Sequence, residues 1–489
     1  MTASLDDYEQ TIETWRNEYI SERNSKKGWE ILERLAKFQV EAAQQMETDE
    51  TPTTGDFDDF STSKLITLIM GDIDTNDLLV NHQIILLEFL PTAHPNILRH
   101  VARTIRLKEE SASILKSTAL AVAIAFARRV AEPEASEEIV RLMAVLVDNP
   151  AICEELKAQL AAADGRDGSE TRSRIYSLAT ERAKVSSDPS CLEWLYSEII
   201  KSVTDTKDVL AQLDALDTLV DVALTGKDNA KALFDAGIIY DLMEWSREAP
   251  DGGDIYFYGT RFMCYLARSF PDIIKMFPDF VKRLMLEVRM FDQLGTSTRL
   301  GVFDHFASLC FSSEAKSTLM ELFKDSKDLE NTLGAAGAAC TMGTMEMKCR
   351  TLQAITLVFE NSTSEMASTW YELLGGKALT HISVGSVKKP FPELKTVIYD
   401  FWQQLFHYPH VVQQFVAFQG FIDWSLDEKS EPEPENELRK RQLIYRIIQL
   451  SEDSKTSEIL GANEEVVGRL KKYLQPAAAP APRVEEMAL

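Results

Sequence analysis

The chain has 489 residues, of which 45% are apolar and 26% charged, and its 52 Lys+Arg against 77 Asp+Glu give a net charge of −25. That length exceeds the size at which one compact core stops growing, so the chain is either several globular domains or a solenoid whose core runs along its length. The acidic excess disfavours nucleic acid and membrane surfaces and favours basic protein partners, while also keeping a large protein in solution.

The opening MTASLDDYEQ is acidic and lacks the basic and apolar stretches of a secretory signal. Residues 1–46 read as an N-terminal helical cap, and the acidic, Thr/Gly/Asp-rich stretch 47–63 as a linker. Residues 64–225 read as N-terminal helical repeats. Within them HQIILLEFL (82–90) and STALAVAIAFA (117–127) are apolar helices, the second too short to span a bilayer and expected to be fully buried.

From residue 172 onward, apolar helices recur at a regular interval. One anchor from each, namely Ile175, Leu216, Phe262, Phe303, Ala354, Ile398 and Ile444, gives gaps of 41, 46, 41, 51, 44 and 46 residues. HEAT and armadillo units repeat at about 40–47 residues. The expected fold is therefore all-α, a HEAT/armadillo-like α-solenoid superhelix, with residues 226–474 forming its C-terminal repeats. Within VLAQLDALDTLVDVAL (209–224) the apolar residues fall at three- and four-residue spacing, and Asp214, Asp217 and Asp221 take the other faces.

In KALFDAGIIYDLMEW (231–245) and QQFVAFQGFIDWSL (413–426), Gly237 and Gly420 are expected to cap one helix before the next begins. GAAGAACTMG (334–343) and DEKSEPEPENE (427–437) read as breaks, and 475–489 as a disordered tail.

The sequence offers no catalytic constellation, and the chain is expected not to be an enzyme and to need no cofactor. GxSxG, HExxH, GxGxxG and the EF-hand loop are absent, and neither Gly226-Lys227 nor Gly376-Lys377 has the glycine and hydroxyl spacing of a P-loop. His407 and His410 lack the further ligands that zinc requires. His305 reads as a solvated or capped histidine. The six cysteines form no CxxC pair and fit a reducing compartment, cytoplasmic or also nuclear. Tyr256, Phe257 and Tyr258 follow a Gly-rich loop. Phe391, between two prolines, is expected to anchor a loop against the array; exposed, it would suit an interface.

MFPDFVKRLMLEV (276–288), MEMKCRTLQAI (345–355), KKPFPELKTVIYDFWQQL (388–405), QGFIDWSLDE (419–428) and SKTSEILGANEEVVGRLKKYL (454–474) occur in an order and spacing that resemble the 26S proteasome non-ATPase regulatory subunit 5 family of base-assembly chaperones. The resemblance runs from about residue 226 to 474. It implies a solenoid that binds the C-terminal domain of one regulatory-particle ATPase subunit, associates with other base-assembly intermediates, and blocks premature docking on the core particle.

A monomer working by surface occupation is expected. The last helix of each repeat would line the concave face, with Asp217, Asp221, Tyr265, Asp304, Ser308, Gln403, Gln404 and Gln449 pointing outward as an acidic and polar ridge. The alternative is an armadillo-type adaptor or scaffold that binds basic peptides or another protein complex. The Trp and Asn ladder of such adaptors is missing, because the equivalent positions are Asp221, Tyr265 and Ser308.

Overall fold

The computed structural model describes residues 75–475 apart from 164–167, 187, 189, 206–207, 236, 238, 241, 244–253 and 462, together with isolated positions between 14 and 34. The expected cap 1–46 is described only at those isolated positions, and the linker 47–63 and the tail beyond residue 475 lie outside the described residues. The regular elements among the described residues are all helices, and the fold is a HEAT/armadillo-like α-solenoid. The chain divides into two compact units, Met1–Asp241 and Leu242–Leu489.

The N-terminal unit contains α1 (Thr75–Asn81), α2 (Gln83–Phe89), α3 (Pro95–Leu107), α4 (Glu109–Ser117), α5 (Leu120–Ala127), α6 (Ser136–Leu146), α7 (Pro150–Ala162), α8 (Ser169–Val185), α9 (Glu193–Thr204), α10 (Val209–Leu224) and α11 (Lys227–Asp235). Helices α1, α2 and α3 stack on α4, α5 and α6 respectively, so the first two repeats have three helices each. The next two, α7–α8 and α9–α10, have two. The closing helices of the four repeats form one continuous row, α3–α6–α8–α10.

The C-terminal unit contains α12 (Asp254–Ser269), α13 (Ile273–Met276), α14 (Pro278–Arg289), α15 (Thr296–Leu309), α16 (Ser313–Leu322), α17 (Asp328–Met342), α18 (Met345–Phe359), α19 (Ser364–Leu373), α20 (Gly376–Val387), α21 (Pro392–Leu405), α22 (Pro409–Val416), α23 (Gln419–Leu426), α24 (Pro434–Glu452), α25 (Ser457–Leu460) and α26 (Glu464–Leu474). Its repeats run short helix, second helix, closing helix. The second helices stack as α14–α17–α20–α23–α26 and the closing helices as α12–α15–α18–α21–α24. This three-helix cadence is the armadillo arrangement.

All seven sequence anchors lie on closing helices, and all are buried. Within each unit the inner closing helices are held between the preceding and following ones, and their inward stripes are buried. Burying one such Ile, Leu or Phe contributes about 1.5–3 kcal/mol. The two early helices at 82–90 and 117–127 are α2 and α5, second helices of their repeats, and the closing row begins with α3 and α6. The run 118–127 is not fully buried either. Val122, Ala123, Phe126 and Ala127 are covered, but Ala121 is exposed, because α5 lies on the outside of its repeat.

Helix ends leave carbonyls without partners, and the repeats satisfy many of these from a neighbour. Arg182 donates to Ala144 O at 3.1 Å, near the end of α6, and Asn229 to Ala183 O at 2.8 Å, near the end of α8. Buried Lys316 donates to Phe311 O at 3.0 Å and Glu360 O at 2.9 Å, just past the ends of α15 and α18. Arg446 reaches Phe406 O, and the Tyr408 hydroxyl donates to Phe359 O. A cation at a helix C-terminus also meets the negative end of its dipole.

Two glycine expectations divide. Gly237 has φ +79°, the left-handed conformation of a helix cap, and its N–H donates to Phe234 O at 3.0 Å. Gly420 caps nothing: it lies in the first turn of α23, and the turn before it is made by Ala417 and Phe418. The stretch 334–343 is not a break but most of α17. A Cβ on Gly337 would overlap the backbone carbonyl of Leu374, so Gly here lets α17 approach the end of α19. The break expected at 427–437 is shorter, since α24 begins at Pro434.

Candidate interaction surface

The outward residues of the closing helices include many charged and polar side chains in each unit. In the N-terminal unit this face is tied together by charge. Arg106 on α3 pairs with Glu138 on α6 at 3.0 Å, Glu138 also accepts from Arg141 at 3.1 Å, and Arg141 reaches Glu181 on α8 at 3.5 Å. Ser173 on α8 donates to Asp214 on α10 at 3.0 Å. Burial raises the Asp214 carboxyl above its ordinary range, while the Ser173 hydrogen bond opposes the shift. On the same helix Asp217 is half-buried and Asp221 exposed.

In the C-terminal unit the row is more polar than acidic. Tyr265 is half-buried, with the Arg261 guanidinium 5.6 Å from its ring centre. Asp304 is half-buried, and burial raises its carboxyl, with Arg350 on α18 opposing. Asp400 on α21 pairs with Arg439 on α24 at 3.1 Å, and across the same step the Gln403 side-chain amide donates to Gln442 Oε1 at 3.3 Å. Gln404 is half-buried and Gln449 exposed. Gln449 helps line an open groove of about 900 Å³ with His407, Tyr445 and Arg446.

Ser308 does not belong to this face. It is 2% exposed, because it lies on the side of α15 that faces packed neighbours. Beside the carboxylates of the expected acidic and polar ridge, arginines also line the closing-helix rows. Sequence reading missed Arg99, Arg103 and Arg106 on α3, as well as Leu438 and Tyr445 on α24, both more than half exposed. The signal for the arginines was present in RHVARTIR (99–106), whose basic residues share one helical face.

The groups weighed for chemistry are mostly in the core. His305 is buried rather than solvated, its ring 4.6 Å from that of Phe257, and burial brings its pKa down to about 3, with Arg261 adding. Cys264, Cys310 and Cys340 are buried, which pushes each thiol up and makes it a poor nucleophile. His407 and His410 are exposed. Among the described residues no three His, Cys, Asp or Glu side chains converge as metal ligands, and no single helix is long and apolar enough to cross a membrane. Tyr256 is buried on α12, whereas Phe391 is 45% exposed at the start of α21, so it does not anchor a loop against the array.

The family described as Proteasome non-ATPase 26S subunit matches residues 12–486. The chain belongs to that family. The match takes in both units, so the proteasome non-ATPase 26S subunit family extends well beyond the stretch 226–474 that carries the sequence resemblance. No curated protein matches the chain. Among solved structures, an engineered protein is 14% identical, covering 81% of this chain and 98% of its own, with a TM-score of 0.40. Importin beta in a polyethylene glycol condition is 13% identical, covering 95% of this chain and 61% of its own, with a TM-score of 0.47. A designed armadillo repeat protein in complex with the peptide (KR)4 is 13% identical, covering 57% of this chain and 97% of its own, with a TM-score of 0.31.

Proposed function

We propose that this member of the proteasome non-ATPase 26S subunit family is a subunit 5-like assembly chaperone of the regulatory-particle base, acting in the cytoplasm or nucleus. Its closing-helix face binds the C-terminal domain of an ATPase subunit and blocks premature docking on the core particle. The observation that carries this reading is the family match over residues 12–486, on a chain built of stacked helical repeats. Such a protein works by occupying surface and requires no active site. Within the face, Asp217 and Asp221 on α10 are the carboxylates best placed to meet a basic partner surface. Opposite charges across an interface accelerate encounter more than they deepen affinity.

The test is capture from lysate with the intact chain, followed by mass spectrometry. Proteasomal ATPase subunits recovered without core-particle subunits support the reading. Intact proteasome, or no proteasomal protein at all, overturns it.

A further inference from the structure

The closing-helix row of the N-terminal unit changes sign along its length. Its first rung, α3, presents Arg99, Arg103 and Arg106 on its outward side, and its last rung, α10, presents Asp214, Asp217 and Asp221. The middle rungs hold both signs and neutralise themselves through Glu138, Arg141 and Glu181. Arg106 belongs to that network. Arg99 and Arg103 do not: both are exposed and neither has an ion-pair partner among the described residues. In a chain with 77 acidic residues, two arginines left without a carboxylate on a rigid helix mark a place where an outside anion is favoured.

The setting is well defined. The opposite side of α3 is closed by Ile97, Leu98, Val101, Ala102 and Ile105, all buried, so the guanidinium groups project from a fixed backbone. Leu107, one turn beyond Arg103, is 66% exposed. His100, beside the arginines, has its pKa lowered by burial first and then by Arg103 and Arg99, which agrees with a positive local field. Arginine rather than lysine suits carboxylates, since its planar fork can hold both oxygens.

We propose that Arg99, Arg103 and Leu107 form a docking site for an acidic protein segment that carries an apolar side chain next to its carboxylates. The segment engages the two guanidinium groups through its carboxylates and covers Leu107 with its apolar residue. The net charge of −25 disfavours long-range capture of any polyanion, so the occupant is a short segment held by the local field of the two guanidinium groups. The inference does not depend on the ATPase reading. If both hold, the basic end of the row takes an acidic segment and α10 a basic surface, so the bound partner has one direction.

The experiment is fluorescence anisotropy of the intact chain at low salt with a labelled decapeptide of Glu and Leu, a Lys/Leu decapeptide, and a single-stranded oligothymidine. The Glu/Leu peptide is expected to bind the unaltered chain and to weaken about tenfold or more in Arg99→Glu/Arg103→Glu, as loss of two charge-assisted contacts implies. Arg99→Gln/Arg103→Gln should fall between, with circular dichroism and melting unchanged in both variants. Equal affinity in the unaltered chain and both arginine variants overturns the proposal, as does Arg99- and Arg103-dependent binding of the oligothymidine in preference to the peptide. None of these outcomes depends on whether proteasomal ATPases are captured.

Discussion

The Arg106 guanidinium on α3 holds the Glu138 carboxylate on α6 at 3.0 Å, joining the closing helices of two successive repeats. Both side chains are largely covered, so water screens them less than an exposed pair. A double-mutant cycle with Arg106→Ala and Glu138→Ala, read by urea denaturation, should give a coupling of about 1 kcal/mol. Glu138→Ala alone should cost more than Arg106→Ala, because it leaves Arg106 without its carboxylate and takes one of three from Arg141, whereas Arg106→Ala leaves Glu138 paired with Arg141.

Trp402 on α21 is fully buried in the C-terminal unit. Its indole N–H donates to Ser383 Oγ at 3.1 Å, and the rings of Phe415, Phe421 and Trp424 lie 5.2–5.7 Å from its own. Trp402→Ala should cost about 3–5 kcal/mol of stability in that unit. Trp402→Phe keeps most of the packing and loses the hydrogen bond, and should cost about 1–2 kcal/mol. Guanidinium denaturation followed by circular dichroism separates the two.

At Gly337 the direction of a substitution is set by packing, not by helix propensity. Alanine is the better helix former by about 1 kcal/mol. Its Cβ, however, would overlap the Leu374 carbonyl. Gly337→Ala is therefore expected to destabilise by about 1–3 kcal/mol through forced backbone displacement. A raised melting temperature would show that α17 and the end of α19 separate freely.

His305 predicts a pH dependence. Its native pKa of about 3 lies below the ordinary 6.5, so between those values the unfolded chain binds a proton that the native chain does not. Stability is thus fully present above pH 6.5 and falls as pH falls, approaching about 1.4 kcal/mol per pH unit. Denaturation of the unaltered chain and of His305→Gln across this range should show the acid-side slope reduced in the variant. Identical slopes would contradict the assignment.

The repeat was legible because burial on a closing helix needs apolar residues at three- and four-residue spacing, and Ile175, Leu216 and Phe262 stand out on that ground. The number of helices per repeat was not, since α13 and α25 have four residues each and show no periodicity of their own. Ser308 misled because it is one turn from half-buried Asp304 and polar, yet the neighbouring helices cover it. His305 misled for the same reason: a polar residue type says little about which side of a doubly packed helix it occupies. The charge balance of the closing-helix rows was not legible, because some of the pairing arginines come from the adjacent repeat, 32 residues away for Arg106 and Glu138.

The central claim is that the closing-helix face, with Asp217 and Asp221, meets a basic proteasomal ATPase domain. It is tested most directly by the association rate between the intact chain and an isolated ATPase C-terminal domain at low salt, measured by stopped flow. Asp217→Lys/Asp221→Lys should slow association about tenfold or more, with the difference shrinking as salt is added. An association rate unchanged by the reversal at low salt would contradict the account.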